Sequence, residues 1–425
     1  MAQIHKLRGA FKPLICAATI SATALSAHAQ STFSIDDTGL VRAEEALQSS
    51  NFNLARDLGQ TAYAHANSDV KKLQSARLVS AAYFGLGRFT AAQFWLRRAT
   101  NHAKTPQDAL QLREDMSAIR KSNPLATSLS FSIAPSDNVN GGAADRTFSL
   151  GDFTFEFAPS SLALSGIEYS GQVDFLYNLG ESETGVTAAG LSLYGRTYSL
   201  SQSAKEAAPG VSGSDYAYTQ VEASLRHRQN IFEGLGPSEI ALQVGRTWYG
   251  GDPLRNYARL GLSQDFVLGQ DAALTISGFA ENQNALSAAQ VDTRVYDLKG
   301  IYAQRLANQD VLRLTLQRRF HDADEETFTY SDNRFVVSYE LAERYWNTKL
   351  SLFAGFGYKN YDEFSLSLDG RRDRSVSAGL TAVFEGVSYF GFSPSMTLAA
   401  NRTQSNVARF TTNGLEARLG FTSNF

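Results

Sequence analysis

From about residue 127 to the end of the chain, apolar and polar residues alternate with period two in one segment after another. Leu312, Leu314 and Leu316 share one parity, against Arg313, Thr315, Gln317 and Arg319. Ile240, Leu242 and Val244 oppose Ala241, Gln243 and Gly245. Leu350, Leu352, Ala354, Phe356 and Tyr358 make a third apolar row, and Val376, Ala378, Leu380, Ala382 and Phe384 a fourth. Such rows mark strands with one apolar and one polar face. About fourteen of them are predicted, at roughly 128–135, 162–178, 186–199, 215–229, 238–249, 255–267, 271–282, 291–305, 310–320, 328–340, 346–358, 372–384, 394–404 and 414–425. One strand per about 21 residues suits tilted membrane spans of about 9–11 residues plus their connections.

A soluble sandwich alternates too, so connection lengths matter. Gly180-Glu181-Ser182-Glu183, Gly269-Gln270 and Ala307-Asn308-Gln309 are short, whereas Ser201 to Ser214 and His321 to Asn333 are long and polar. Short turns on one side and long loops on the other is the pattern of outer-membrane barrels. Tyr194, Tyr198, Tyr249, Tyr257, Trp248, Trp346 and Tyr358 fall near strand ends and are expected in the interfacial aromatic girdles. Hydrocarbon satisfies no backbone polar group, so a spanning sheet must close on itself. The last strand, Gly414 to Phe425, alternates to an aromatic terminus. It resembles the C-terminal signature of bacterial outer-membrane barrels. By that resemblance Leu415, Leu419, Phe421 and Phe425 form the signal read by the barrel assembly machinery, and the barrel's surroundings are outer-membrane lipid.

The first part of the chain reads differently. Lys6, Arg8 and Lys12, the apolar stretch Pro13 to Leu25 and Ala27-His28-Ala29 predict a cleaved signal peptide over residues 1–29. Its removal takes with it Cys16, the single cysteine, so disulfide and thiolate chemistry are not expected. Residues 38–121 are rich in Ala, Leu, Arg and Gln and predict helices. Asn51-Phe52-Asn53-Leu54-Ala55 and Arg88-Phe89-Thr90-Ala91-Ala92 match at an offset of about 37 residues. Gly85 to Ala99 resembles a tetratricopeptide turn and second helix, with Phe89, Ala92, Leu96 and Ala99 on one face. Two repeats are fewer than the three usually needed for stability, and a helix from about Thr105 to Lys121 is expected to cap them. The head is read as a protein-binding groove that includes Tyr63, Tyr83, Phe84 and Trp95, or more plainly as a helical plug in which most of these rings are core. The predicted organisation is an α+β multidomain chain. A tetratricopeptide-like helical domain (residues 30–124) precedes a transmembrane antiparallel barrel (residues 125–425).

Two further stretches add to this. Ala134-Pro135-Ser136-Asp137-Asn138-Val139-Asn140 is similar to the Ala-Pro-Asp-Ser-Asn-Ile-Asn of the surface lipoprotein assembly modulators, with Ser and Asp exchanged. Ser405-Asn406-Val407 and the terminal strand are similar to that family's Ser-Asn-Ile and last strand, and Gly245 to Gly250 is a weaker match. The resemblance implies a periplasmic tetratricopeptide head on a fourteen-stranded outer-membrane barrel, with protein cargo (a lipoprotein or secreted protein) moved to the cell surface. It marks Asp137, Asn138, Asn140, Ser405 and Asn406. The plain reading of Asp137, Asn138 and Asn140 is a turn cluster.

Little else points to chemistry. The 39 Lys and Arg against 42 Asp and Glu, three of the basic residues lying in the leader, argue against nucleic acid as a partner. The six His show no metal-ligand spacing, no phosphate-cradling glycine loop precedes a helix, and neither cofactor nor metal is called for. His321 beside Asp322, Asp324, Glu325 and Glu326 reads as a solvated outer loop, with weak cation binding as the sharper reading. A lipid hydrolase would need a Ser–His pair, but Ser224 and His227 have opposite parity. Glu222, Arg226, Arg228, Asp297, Lys299, Arg313, Arg319 and Arg418 are expected to face the lumen, as pairs filling a narrow barrel or as a polar path. Such a lumen suits a small solute or an extended peptide; a folded cargo would need the seam between first and last strands to open. A non-enzymatic protein translocon is the principal reading. A plain transport channel, or a polysaccharide exporter with lumen aromatics, is the alternative.

Overall fold

The structure is a computed structural model that describes residues 35–143, 145–150, 153–288, 290–387 and 392–423. The expected signal peptide and Phe425 lie outside them. The chain divides into two compact units, Met1–Lys121 and Ser122–Phe425.

The first unit holds α1 (Ile35–Gln48), α2 (Phe52–His65), α3 (Asp69–Gly85) and α4 (Phe89–Thr100), and α5 (Pro106–Ser122) runs from it into the start of the second. The two matching stretches each begin a helix, α2 and α4. Asn51 and Ser68 cap α2 and α3 by accepting from the backbone N–H groups of Leu54 and Lys71. Gly87 turns α3 into α4 at φ +69°, a conformation that costs glycine least. Small residues let the helices approach closely. Ala76, Ala92 and Ala99 are fully buried, and a Cβ on Gly85 would lie 2.5 Å from the Phe52 ring.

The second unit contains β1 (Leu125–Ser136), β2 (Thr147–Leu150), β3 (Phe153–Glu156), β4 (Gly166–Glu181), β5 (Gly185–Leu200), the short helix α6 (Gln202–Ala207), β6 (Tyr218–Gln229) and β7 (Ser238–Tyr249). It continues with β8 (Asp252–Val267), β9 (Ala272–Ala285), β10 (Thr293–Arg305), β11 (Val311–Ala323) and β12 (Tyr330–Glu340). The last four strands are β13 (Thr348–Tyr361), β14 (Arg371–Phe384), β15 (Phe392–Ser405) and β16 (Thr412–Ser423). Fourteen strands close into one antiparallel barrel, each beside its sequence neighbour, with β1 joined to both β4 and β16. The fold is a helical region followed by a closed fourteen-stranded antiparallel β-barrel. The β2–β3 hairpin stands outside that sheet. It was not anticipated, because its two strands have only four residues each and lie within a loop.

The apolar rows face outward. Leu262, Leu298 and Leu316 are each about 60% exposed, and Leu242, Leu352, Val376 and Leu398 continue the belt. An apolar band this extensive is what a lipid-facing surface requires. The register fixes the opposite parity as lumen-facing: Glu222 lies opposite Gly245, Gly245 opposite Tyr257, and Tyr257 opposite Gln283. By the same register Tyr194, Tyr198, Tyr249 and Tyr257 point inward, so their assignment to the girdles is wrong. Trp248 and Tyr358 do face outward, and Trp346 sits in the β12–β13 turn. Tyr194 and Tyr198 share their parity with Arg196, and Tyr257 shares its parity with Arg259. Strand-end position was the weaker signal.

His321 is a second correction. The 321–333 stretch is mostly strand, and His321 faces the lumen with its ring stacked 4.5 Å from that of Tyr330. Among the described residues no cluster of His and carboxylates could hold a metal ion. Ser224 and His227 lie on opposite faces, and the His227 Nδ1 is 2.8 Å from Thr187 Oγ1.

Candidate functional site: the lumen wall and the barrel seam

The wall from β6 to β12 carries most of the lumen charge. Glu222 on β6 accepts hydrogen bonds from the Tyr257 hydroxyl (2.7 Å) and from Gln243 Nε2 (3.0 Å). Arg259 on β8 reaches both Glu222 (3.7 Å) and Glu281 on β9 (2.5 Å), while its guanidinium lies 4.7 Å from the Phe279 ring centre. Asp297 on β10 accepts from Arg319 Nε (2.9 Å) and from Gln317 Nε2 (2.7 Å). Period-two strands staggered by barrel tilt bring these residues together, so each carboxylate meets a cation two strands away or next door. Such pairing offsets the cost of recessing carboxylates in the wall. By strand register Arg226, Arg313, Arg319 and Arg418 share the lumen-facing parity, but they differ in partnership. Arg319 and Arg418 are paired; Arg226 and Arg313 have no carboxylate partner among the described residues. The facing wall, β13 to β15, presents small neutral groups such as Gly355, Ser377, Thr381 and Thr397.

The lumen also holds more aromatic rings than the sequence reading allowed. Tyr194 and Tyr218 lie 6.1 Å apart, Tyr330 and Tyr361 4.9 Å, and Phe364 and Phe410 5.4 Å. Arg371 lies over Tyr361, Phe364 and Phe410. These rings pack on one another where strands enter loops.

At the closure, the described residues of β1 and β16 pair from Ser130 to Ile133, whereas β1 pairs with β4 along its whole length, Leu125 to Ser136. Pro135 has no N–H to give to a ladder, which helps stop pairing there. Where the ladder stops, Arg418 on β16 takes over. It donates to Ser132 Oγ and Glu168 Oε1 at 2.9 Å each, and to Glu416 Oε1 at 2.7 Å. A cavity of about 210 Å³ opens beside it, lined by Ser132, Gln172, Tyr194, Thr397 and Gly420 among others. Leu415, Leu419 and Phe421 face outward on β16 and are exposed.

The two family-like motifs sit at loop roots and fasten backbone. Asn140 Nδ2 donates to the carbonyls of Ser160 (3.1 Å) and Leu162 (2.8 Å), and its Oδ1 accepts from the N–H of Leu164 (3.0 Å). Asn138 exchanges hydrogen bonds with Gly142 at both ends of its amide. Asp137 lies close to Gly414 at the start of β16. Asn406 ties the β15–β16 loop to the β13–β14 loop through the Arg372 N–H (2.7 Å) and the Gly370 carbonyl (3.0 Å), and Ser405 Oγ accepts from the Val407 N–H. Replacing Asn140 with Ala will take this partner from the half-buried Leu162 carbonyl and from the N–H of buried Leu164, a loss of about 1–3 kcal/mol confined to the β1–β4 loop. Limited proteolysis should then cut between β1 and β4 much faster while the barrel itself resists; unchanged cleavage would show that the motif is not a fastener.

In the head, Tyr63, Tyr83, Phe84 and Trp95 pack partly buried against the core of Leu73, Leu96, Leu112 and Ile119. Tyr63 meets Trp95 edge-on at 5.4 Å, and its hydroxyl is 3.0 Å from His102 Nε2. The Tyr83 hydroxyl accepts from Gln60. The hydrogen bond from His102, with help from Lys104, holds the Asp69 carboxyl below its ordinary range. These rings are more core than groove wall.

No family model matches the chain, and no curated protein matches it. Among solved structures it is similar to a bacterial polysaccharide outer membrane secretin, at 10% identity and a TM-score of 0.37 over 70% of this chain and 98% of that one. OccAB1 of Acinetobacter baumannii follows at 10% identity and a TM-score of 0.36, over 70% and 96%. A BenF-like porin from Pseudomonas fluorescens Pf-5 stands at 7% identity and a TM-score of 0.36, over 70% and 97%. At those values the similarity adds nothing to the closed barrel already described.

Proposed function

We propose that this protein is an outer-membrane channel for small polar solutes, working by binding and passage with no covalent step. The supporting observation is a closed barrel whose outside is apolar and whose inside is charged, with cavities left between the side chains. The helical head is placed in the periplasm in this reading, as a tetratricopeptide-like receptor or a regulator of the pore, and the barrel assembly machinery inserts the chain.

One observation favours a second reading, movement of a surface lipoprotein or secreted protein across the membrane. Among the described residues the β1–β16 seam has four register pairs, fewer than any other pair of neighbouring barrel strands, and Arg418 bridges it. A cargo too large for the lumen would leave there. Full-length protein in liposomes should admit small sugars and amino acids well above the protein-free leak; flux equal to that leak would sink the channel reading. Surface proteomics of a deletion strain tests the second reading, through the loss of specific surface proteins.

A further inference from the structure

We infer that the β6–β11 wall of the lumen binds small anions, through a carboxylate or phosphate group held between Arg226 and Lys299. The inference rests on the channel reading for its consequence in transport, but the site itself stands on geometry. Arg226, Glu239, Arg259, Asp297, Lys299 and Arg319 line one cavity of about 350 Å³, within the size range of small-molecule sites. Two of its four cations are already neutralised: Arg259 by Glu222 and Glu281, and Arg319 by Asp297. Arg226 and Lys299 have no carboxylate within ion-pairing distance among the described residues, and the Arg226 Nε is buried without a hydrogen-bond partner. Of the two carboxylates on the cavity, Asp297 is paired and Glu239 has no ion-pair partner among the described residues. The residues that line the cavity are four cations against two carboxylates, Glu239 and Asp297, and Glu222 and Glu281 behind Arg259 balance the rest of the wall, so the positive charge is local to the cavity at Arg226 and Lys299.

Physical chemistry selects the ligand class. A guanidinium with unused donors offers a carboxylate or phosphate a directed hydrogen bond, and an ammonium nearby adds a point charge. Cations recessed in a low-dielectric wall raise the local concentration of mobile anions more than exposed ones do. Ser263 and Ser277 on the same cavity supply hydroxyls for the remaining oxygens.

Two measurements on the full-length protein in detergent micelles or bilayers test this. Calorimetric titration with inorganic phosphate, and separately with succinate, should show saturable binding by the wild type and at least about tenfold weaker binding by Arg226→Gln/Lys299→Gln. The two titrants distinguish phosphate from carboxylate solutes. In a planar bilayer under a KCl gradient, the wild type should favour chloride over potassium, the double variant should lose that preference, and Glu239→Gln should strengthen it. Heat-stable migration of each variant on a gel establishes that the barrel has folded. If the wild type binds neither titrant, or binds no better than the folded double variant, the inference is overturned whatever the conductance. If anions bind but no current flows, the site stands and the channel reading falls.

Discussion

Arg259→Ala will cost the barrel about 3 kcal/mol of stability, the low end of what breaking a buried ion pair costs. Arg259 on β8 is the shared cation of two carboxylates, one next door on β9 and one two strands away on β6. The side chains of Glu222 and Glu281 are only 9% and 4% exposed. Removing the guanidinium leaves both ionised groups facing each other with little water to screen them, so part of the cost is repulsion and part lost solvation. The low end applies because Arg259 itself is 25% exposed to the lumen, and water can enter the gap it leaves. Unfolding in denaturant, followed by gel migration and by tryptophan emission, reads the effect. Adding Glu222→Gln and Glu281→Gln to the Arg259→Ala chain removes the stranded charges and should recover most of the loss. A single substitution that changes stability by less than about 0.5 kcal/mol would place the network among pairs that merely decorate a hydrated pore.

Joining β1 to β16 covalently should abolish any passage through the seam and leave small-solute flux untouched. Ser132 and Gly420 are register partners in the short β1–β16 ladder. A Cβ on Gly420 would lie 3.9 Å from the Ser132 Cβ, close to the mean separation of about 3.8 Å in disulfides. The same Cβ would crowd Ser395 Oγ at 2.8 Å, so Ser395→Ala accompanies Ser132→Cys and Gly420→Cys. Cys16, within the expected leader, is the only cysteine in the chain, so the new pair has no competitor in the barrel. In a deletion strain complemented with this variant, the surface proteins that depend on the wild type should stay absent under oxidation and return when dithiothreitol is added. Liposome flux should be equal in both states. Display that persists in the fully oxidised protein would rule out exit through the seam. Arg418→Ala is the complementary change, since it removes the contacts that reach Ser132 and Glu168 where the ladder has ended.

The strands were legible because lipid and lumen impose opposite polarity at a spacing of two residues, and a local pattern suffices to show that. The helix starts at Phe52 and Phe89 were legible for a similar reason, each beginning a repeated local unit. Tyr257 shows where this stops. Its parity with Arg259 was in the sequence, but its place in a strand-end row suggested an interface girdle. Only the neighbouring strand reveals that its hydroxyl donates to Glu222. His321 went astray because acidic neighbours made a strand end look like a loop. The β2–β3 hairpin escaped because it is too short for an alternating pattern to be read.

By itself the sequence determined a closed fourteen-stranded barrel behind a helical head, since periodicity and the need to satisfy backbone groups in hydrocarbon leave few other arrangements. Only the tertiary structure decided which lumen charges are neutralised. Glu222, Arg259 and Glu281, and likewise Asp297 and Arg319, are brought together by strand register, while Arg226 and Lys299 are left over. It also decided that Arg418 reaches across the β1–β16 closure to Ser132 and Glu168. Pairing and closure depend on distances between residues remote in the chain, and those are set by stagger and tilt around the barrel, which no single strand encodes.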